Sequence, residues 1–248
     1  MTNAKRTKNK HETRHGSSKL NDFSFNKAQL PQIHDEALKT YQQRAWEAFQ
    51  RLNFPTTKDE AWRRTNIRKL QTEKFKKHSS HINGQSPEKM SGLNVSEGDV
   101  AGEIILGSDE KSPILDPKLK AKGVIFDDLQ TVREQRPELL SRLLGKIIAG
   151  DEDKFTALAA AMADDGVLLY VPKNIIIEHP FTSLFWGEGE HTAFITHLII
   201  WVEEGSQITM IHESASSDQT GEAQVFHDGI VEIHVGRNAR VNFVELQS

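Results

Sequence analysis

Three stretches in the last third of the chain share one pattern: VLLYVPKNIII at 167–177, LIIWVEEGSQI at 198–208 and VEIHVGRNARV at 231–241. In each stretch, alternating apolar residues lead to a valine, which is Val171, Val202 or Val235. Such alternation predicts a β-strand. The valines are 31 and 33 residues apart, a spacing that is typical of structural repeats stacked on one another.

Each stretch also carries a predicted turn residue three positions after its valine. These residues are Asn174, Gly205 and Asn238. Asparagine and glycine accept a left-handed backbone more readily than other residues, and apolar residues resume three positions later. The repeated strand-turn-strand unit therefore predicts coils of a β-solenoid, in which each coil covers the core of its neighbour.

Composition excludes several classes of protein. The chain has 248 residues, of which 37% are hydrophobic, and no apolar run approaches the roughly 18 residues of a membrane span. The beginning of the chain has no apolar core of the signal-peptide kind. There is no cysteine, which excludes disulfides, thiolate metal ligands and a cysteine nucleophile. We therefore expect a cytoplasmic protein without a membrane partner.

Charge divides the chain into two unlike halves. From Asp151 onward there are 16 acidic and 4 basic residues, whereas the first 150 residues have an excess of basic ones. Residues 1–28 are polar and basic, and we predict a disordered tail there because so little apolar surface cannot offset the entropy of ordering. A nucleic-acid-binding arm is the alternative, but no aromatic residue occurs before Phe23, so no nucleic-acid partner is expected.

Residues 29–163 read as a mainly helical domain. Apolar residues recur at helical spacing over 34–52, and Thr57 and Glu60 have the spacing of a capping box, which predicts a second helix from about Lys58. Residues 71–98 read as a loop or linker, and EIIL from Glu103 as a short strand. Further helices are predicted over 127–132 and 137–162. The first coils of the solenoid then occupy residues 164–248.

Two segments carry a resemblance to a known family. PTTKDEAWRRTNIRKL at 55–70 and DKFTALAAAMADDGVLLYVPKNIIIEHP at 153–180 resemble the SufB/SufD family of iron-sulfur cluster assembly proteins. The element Glu60-x-Trp62-x-x-Thr65 is similar to the SufD branch. The resemblance implies an α+β protein in which an N-terminal helical domain precedes a right-handed parallel β-helix, incomplete at the C-terminus.

The same resemblance implies the function. Family members act as non-enzymatic scaffold subunits of the SUF machinery, in complex with SufB and the ATPase SufC. The iron-sulfur cluster is then handled by the complex, and no cofactor is expected on this chain alone. Relatives continue through a C-terminal portion, in which their SufB and SufC contacts lie, beyond the point that corresponds to Ser248. We therefore assign no catalytic, cofactor-binding or metal-binding residue.

The last predicted coil has no neighbouring coil on its C-terminal side. Its Val241 and Phe243 lack a neighbouring coil, and unpaired strand edges beside apolar surface promote pairing with other chains. We therefore expect self-association through this C-terminal edge.

The histidine-rich second half supports an alternative function. It contains His179, His191, His197, His212, His227 and His234, with Glu213, Asp228 and Glu232 nearby in the sequence. A metal-dependent enzyme on a cupin-like or β-helix frame could use such His and Glu ligands. No tight metal-binding motif such as H-E-x-x-H occurs, and the strand alternation directs Glu232 and His234 away from the core. We therefore predict surface histidines without a metal.

The repeats also align Tyr170, Trp201 and His234, each directly before its valine. Stacked coils would place these three residues in an outward-facing row, here called the ring ladder. Aromatic residues in such a row usually pack against another part of the chain or against a partner. We expect the N-terminal helices or loops to supply it; a partner surface is the alternative.

Overall fold

The computed structural model describes residues 20–78, 99–107, 113–216 and 223–247. Five α-helices lie in these ranges, with short 3-10 turns at Lys27–Gln29, Glu60–Trp62 and Thr72–Lys74. The helices are α1 (Glu36–Arg51), α2 (Pro117–Ala121), α3 (Leu129–Gln135), α4 (Pro137–Leu143) and α5 (Lys154–Met162). Within the described residues, none of the helices is long and apolar enough to cross a membrane.

Ten strands form two sheets. They are β1 (Lys76–Lys77), β2 (Gly102–Leu106), β3 (Ile114–Leu115), β4 (Ile125–Asp128), β5 (Asp165–Val171), β6 (Phe181–Gly187), β7 (Thr192–Val202), β8 (Gln207–Ser216), β9 (Phe226–Val235) and β10 (Arg240–Gln247). The first sheet has the order β4-β5-β7-β9, with β1 also paired to the beginning of β7. The second has the order β3-β2-β6-β8-β10. From β5 to β10, successive strands alternate between the two sheets.

The register of the strands confirms the sequence repeat. Val171, Val202 and Val235 are direct partners on the parallel strands β5, β7 and β9. The three predicted turn residues all have left-handed backbones. Their φ angles are 60° at Asn174, 72° at Gly205 and 58° at Asn238. The repeat therefore stacks in the alignment that the sequence predicts.

The main apolar core lies between the two sheets. Alternate residues of each strand point into it, such as Val167 and Leu169 from β5 and Ile208 and Met210 from β8, and all four are buried. The corresponding residues of the last strands, β9 and β10, are only half-buried. They are Val231, Ile233, Val241 and Phe243.

The helical segment packs on the outer face of the first sheet. Asp35 caps the start of α1, and its Oδ1 accepts hydrogen bonds from the N–H groups of Ala37 and Leu38, both at 2.9 Å. Its buried residues contact α5 on one side and the outward residues Leu168 and Ile199 of the sheet on the other. The helix predicted over 34–52 and the strand predicted at Glu103 are confirmed.

Two predicted helices differ from the structure. No α-helix begins near Lys58, because Asp59 accepts hydrogen bonds from the backbone and side chain of Thr56 and closes a local turn instead. Only the 3-10 turn Glu60–Trp62 follows. The helix predicted over 137–162 is divided into α4 and α5. Gly145, with a φ of 67°, lies between them in a conformation that a continuous helix cannot contain.

The predicted domain limits also differ. Residues 1–19 of the predicted tail lie outside the described residues, as do 79–98 of the predicted linker. Within 20–28, however, Phe23 and Phe25 are buried, so the ordered body begins before residue 28. The region predicted as a helical domain contributes β2 and β4, which extend the two sheets. The fold is a mixed one in which helices and sheets share a core.

Candidate functional site

The outer edges of β9 and β10 form one end of the stacked sheets, here called the end face. In the part of the chain that the structure describes, β9 pairs only with β7 and β10 only with β8. Three apolar side chains on these strands are exposed: Val235 at 48%, Val244 at 44% and Leu246 at 38%. Free backbone N–H and C=O groups beside apolar side chains are the features that pair with a further strand.

Helices of the same chain cover most of the ring ladder. Tyr170 and Trp201 are half-buried and pack in the cluster that α1, α3 and α4 form on the first sheet. The rings of Trp201 and His234 stack with centroids 4.0 Å apart and an interplanar angle of 16°. The expectation that the N-terminal helices cover the ladder is confirmed for Tyr170 and Trp201.

Glu232 and His197 form a buried pair beneath the helical layer. His197 Nε2 lies 2.8 Å from Glu232 Oε1, and both side chains are almost fully buried. The carboxylate also accepts hydrogen bonds from the backbone N–H groups of Gly145, Ile147 and Ile148, at 3.0 to 3.2 Å. We call this arrangement the carboxylate clamp, because it fastens the connection between α4 and α5 to strands β7 and β9.

The electrostatics of the clamp favour an ionised carboxylate. Burial alone would raise the pKa of Glu232, but the hydrogen bond from His197, its nearby ring and the N–H groups of Ile147 and Ile148 lower it below its ordinary value. All the acceptor capacity of Glu232 is directed at the protein's own donors. The clamp is therefore a structural device and not a free general base.

A second polar group lies between the sheets, near the end face. The ring of His212 is buried, with Nδ1 2.8 Å from Ser183 Oγ and Nε2 3.2 Å from Ser214 Oγ. Beside it, His227 Nε2 lies 2.8 Å from Thr196 Oγ1. Burial lowers the pKa of His212 to about 4, so this ring is neutral near pH 7.

The structure corrects the prediction of surface histidines. His197 and His212 are buried, and His234 stacks on Trp201, whereas His179 and His227 are exposed as predicted. In the described ranges, no three His, Asp or Glu side chains converge as a metal site would require.

Sequence reasoning missed the role of Glu232. Alternation directs its side chain away from the core between the sheets, and the structure agrees. The Glu232 side chain nevertheless points outward into the space beneath the connection at 145–148, where it is only 1% exposed. A glutamate within an apolar strand segment was the only local signal of this second buried layer, which lies between the first sheet and the helical segment.

Two stacked, mainly parallel sheets with a helical layer on one face define the class of protein as a mixed α/β protein built around a strand repeat. Comparison with known proteins then gives the family. The model "SufBD protein N-terminal region" matches residues 17–182, and "SUF system FeS cluster assembly, SufBD core domain" matches residues 185–248. The chain belongs to the SufBD family.

Curated relatives match about half of the chain. "Iron-sulfur cluster assembly protein SufD" of Bacillus subtilis (strain 168) is 36% identical over 130 residues, which cover 52% of this chain and 29% of that protein. "Iron-sulfur cluster assembly SufBD family protein" chains of Staphylococcus aureus are 27% identical in strain MRSA252 and 26% in strain USA300, over 134 residues each. These cover 54% of this chain and 28% of each relative. The matched region is thus less than a third of the length of these relatives.

Proposed function

We propose that this chain is a non-enzymatic scaffold subunit of the SUF iron-sulfur cluster assembly machinery, acting in complex with SufB-like and SufC-like subunits in the cytoplasm. The observation that carries the proposal is the match of SufBD family models to both halves of the chain. The names of its relatives, which refer to iron-sulfur cluster assembly, support it. In this proposal the cluster is handled by the complex, and this chain alone binds none.

We also infer that strands β5 to β10 are coils of a right-handed parallel β-helix. Parallel pairing of β5 with β7 and β9, and of β6 with β8 and β10, supports this architecture. Right-handedness is the expectation for such crossovers, because about 98% of connections between parallel strands of one sheet have that hand.

The end face is the surface at which we expect assembly. Its free strand edges and the exposed Val244 and Leu246 support pairing with a strand of another subunit. In the absence of that partner, the same edges favour self-association. The end face thus gives a scaffold subunit a means of joining a larger body without any catalytic group.

Co-purification tests the proposal. The chain is co-expressed with tagged SufB-like and SufC-like proteins of its own organism, and retention on the tagged partners is measured. The double change Val244→Lys and Leu246→Lys should reduce both retention and self-association. Ile176→Lys is the matched control, because Ile176 is an equally apolar exposed residue away from the end face. Failure of the unmodified chain to associate with either partner would contradict the proposal.

The alternative function is that of a metal-dependent enzyme. Elemental analysis of protein purified without a histidine tag distinguishes it from the scaffold. The closeness of His212 and His227, through which a charge on His227 would lower the pKa of His212, is the observation in its favour. A stoichiometric transition metal would support the enzyme and count against the scaffold proposal.

A further inference from the structure

A cavity of about 520 Å³ opens near the end face, where β6 and β8 end and β9 begins. This volume is within the range of small-molecule sites. Inward-facing residues of both sheets line it, notably Phe185 and Ser214 from the second sheet and Phe194 and His227 from the first. The cavity is therefore a property of the stacked sheets, separate from the carboxylate clamp.

Aromatic rings form the walls of this cavity. Phe185 and Phe194 both line it. The ring of Phe185 approaches His212 edge-on at 4.4 Å and His227 at 6.2 Å between centroids. Ring faces of this kind bind flat apolar groups, and they also attract cations through their negative π surfaces.

Hydrogen-bonding groups are few and uncharged. Ser214, Ser216, His227 and Gln247 reach the cavity. The hydroxyl of Ser214 is already connected to the neutral ring of His212. Among the lining residues that the structure describes, none is a lysine or an arginine. An anion would therefore find no lysine or arginine among these described lining residues.

One negative charge lies beside the cavity. Glu245 on β10 is the direct partner of His212 on β8, and so points to the interior side of the second sheet. Its Oε1 accepts a hydrogen bond from Nε2 of Gln247 at 3.2 Å, and Gln247 lines the cavity. The charge of Glu245 acts on both His212 and His227. The local field therefore favours positive ligands.

We propose that this cavity binds a small planar organic cation, with its flat ring against Phe185 and Phe194 and its positive nitrogen group toward Glu245. Each part of the cavity supplies one requirement: the aromatic walls, the carboxylate, and the serine and glutamine groups that can accept N–H donors. The ligand class is that of aromatic amidines and protonated nitrogen heterocycles.

Three compounds of nearly equal shape test the charge preference. Benzamidine is a planar cation, benzamide is its neutral counterpart and benzoate its anionic one. Titration of the full chain, followed by calorimetry and by chemical-shift changes of the Phe185 and Phe194 rings, should give binding in the order benzamidine, benzamide, benzoate. Binding of benzoate as tightly as benzamidine, or no saturable binding of benzamidine at millimolar concentrations, would overturn the proposal.

A pair of variants tests the source of the preference. Glu245→Gln keeps the size and the hydrogen bonding of an exposed residue and should weaken benzamidine binding about fivefold to tenfold, while leaving benzamide binding unchanged. Glu178→Gln removes an exposed carboxylate that does not line the cavity, and it should leave both affinities unchanged. Equal benzamidine affinities for the two variants would contradict the role of Glu245.

Discussion

At the scale of single residues, two carboxyl groups on β9 have opposite environments. Glu232 accepts hydrogen bonds from His197 and from three backbone N–H groups. Four residues before it, Asp228 has a buried Oδ2 with no hydrogen-bond partner. Both side chains point from the first sheet toward the helical layer. The partners supplied by that layer decide which carboxylate stabilises the fold.

Replacing Glu232 by glutamine should destabilise the protein by about 1–3 kcal/mol, because the amide NH₂ group would face backbone donors and leave them unsatisfied. The pKa of Glu232 is held below 4.5 in the folded protein. Its contribution is therefore present above that pH and is lost as the pH falls through the folded pKa.

Urea unfolding of the two proteins between pH 3 and pH 7 measures this effect. The difference in unfolding free energy should be largest near neutral pH and shrink in acid. A constant difference at every pH would contradict the ionised clamp, and Glu178→Gln serves as the exposed control.

Replacing Asp228 by asparagine should instead stabilise the protein at neutral pH, by about 1 kcal/mol or more, because it removes the need to bury a charge. Burial raises the pKa of Asp228 well above 3.8, and the nearby Asp153 adds to the effect. The folded state thus favours the protonated acid. The stability associated with that proton is complete at low pH and is lost as the pH rises through the folded pKa.

Thermal unfolding at several pH values provides the test. The advantage of Asp228→Asn should grow as the pH rises, in the opposite sense to the effect of Glu232→Gln. Asp153→Ala provides a contrast, because Asp153 accepts hydrogen bonds from the N–H groups of Phe155 and Thr156 at the start of α5. Loss of this cap should destabilise the protein by about 1 kcal/mol. An Asp228→Asn variant less stable than the parent at pH 8 would count against the unpaired buried acid.

At the scale of elements, the left-handed turns set the stacking of the strands. The N–H of Asn174 donates to the carbonyl of Glu204 at 2.9 Å, and the N–H of Gly205 donates to that of Arg237 at 3.0 Å. Each turn is thus bonded to the equivalent turn of the next repeat. The strands on either side remain in register because the turns repeat with the same backbone geometry.

Gly205→Val should destabilise the protein by about 1–3 kcal/mol, because a β-branched residue is strained at positive φ. An added Cβ would also lie 2.5 Å from Asn174 Oδ1. Asn238→Gly is the matched control, since it changes a turn residue of the same conformation to one that accepts it, and it should shift stability by less than about 1 kcal/mol. Calorimetric melting of the two variants measures the difference. Equal losses in both would disprove the turn requirement.

At the scale of the whole molecule, the segment from Leu20 to Leu30 joins parts that are distant in the sequence. Phe23 lies within 6.5 Å, between ring centroids, of six other rings, which are those of Phe25, Phe49, Phe54, Phe75, Phe155 and Phe226. Nearby, the buried Nζ of Lys154 bonds to Asp22 Oδ2 at 2.7 Å and to the carbonyl of Phe49 at 2.8 Å. This segment fastens α1, α5 and β9 together.

Phe23→Ala should destabilise the protein by about 3–5 kcal/mol, the usual cost of removing a fully packed aromatic side chain. Deletion of residues 1–19, the part of the predicted 1–28 tail that precedes this segment, should leave the melting temperature unchanged, because so polar a stretch adds little apolar surface to a core. Calorimetry on both proteins separates the two expectations. A tail deletion as harmful as Phe23→Ala would refute the dispensable tail.

The sequence by itself determined the features that depend on neighbours in the chain. The alternation around Val171, Val202 and Val235 predicts the strands and their register, and Asn174 and Gly205 predict the turns, because strand periodicity and left-handed preference are local properties. The helical spacing over 34–52 likewise predicts α1.

Only the tertiary structure decided which polar groups are buried and what holds them. Glu232 is a clamp because residues 145–148, far from it in the sequence, bring three N–H groups to its carboxylate. Phe23 is a core residue because α1, α5 and β9 meet around it, although its sequence surroundings are polar. The contacts of Glu232 with residues 145–148 span 84 to 87 residues, and the contact of Phe23 with Phe226 spans 203. Such contacts leave no periodic signal in the sequence, since they arise from the packing of completed elements and not from the order of residues within one element.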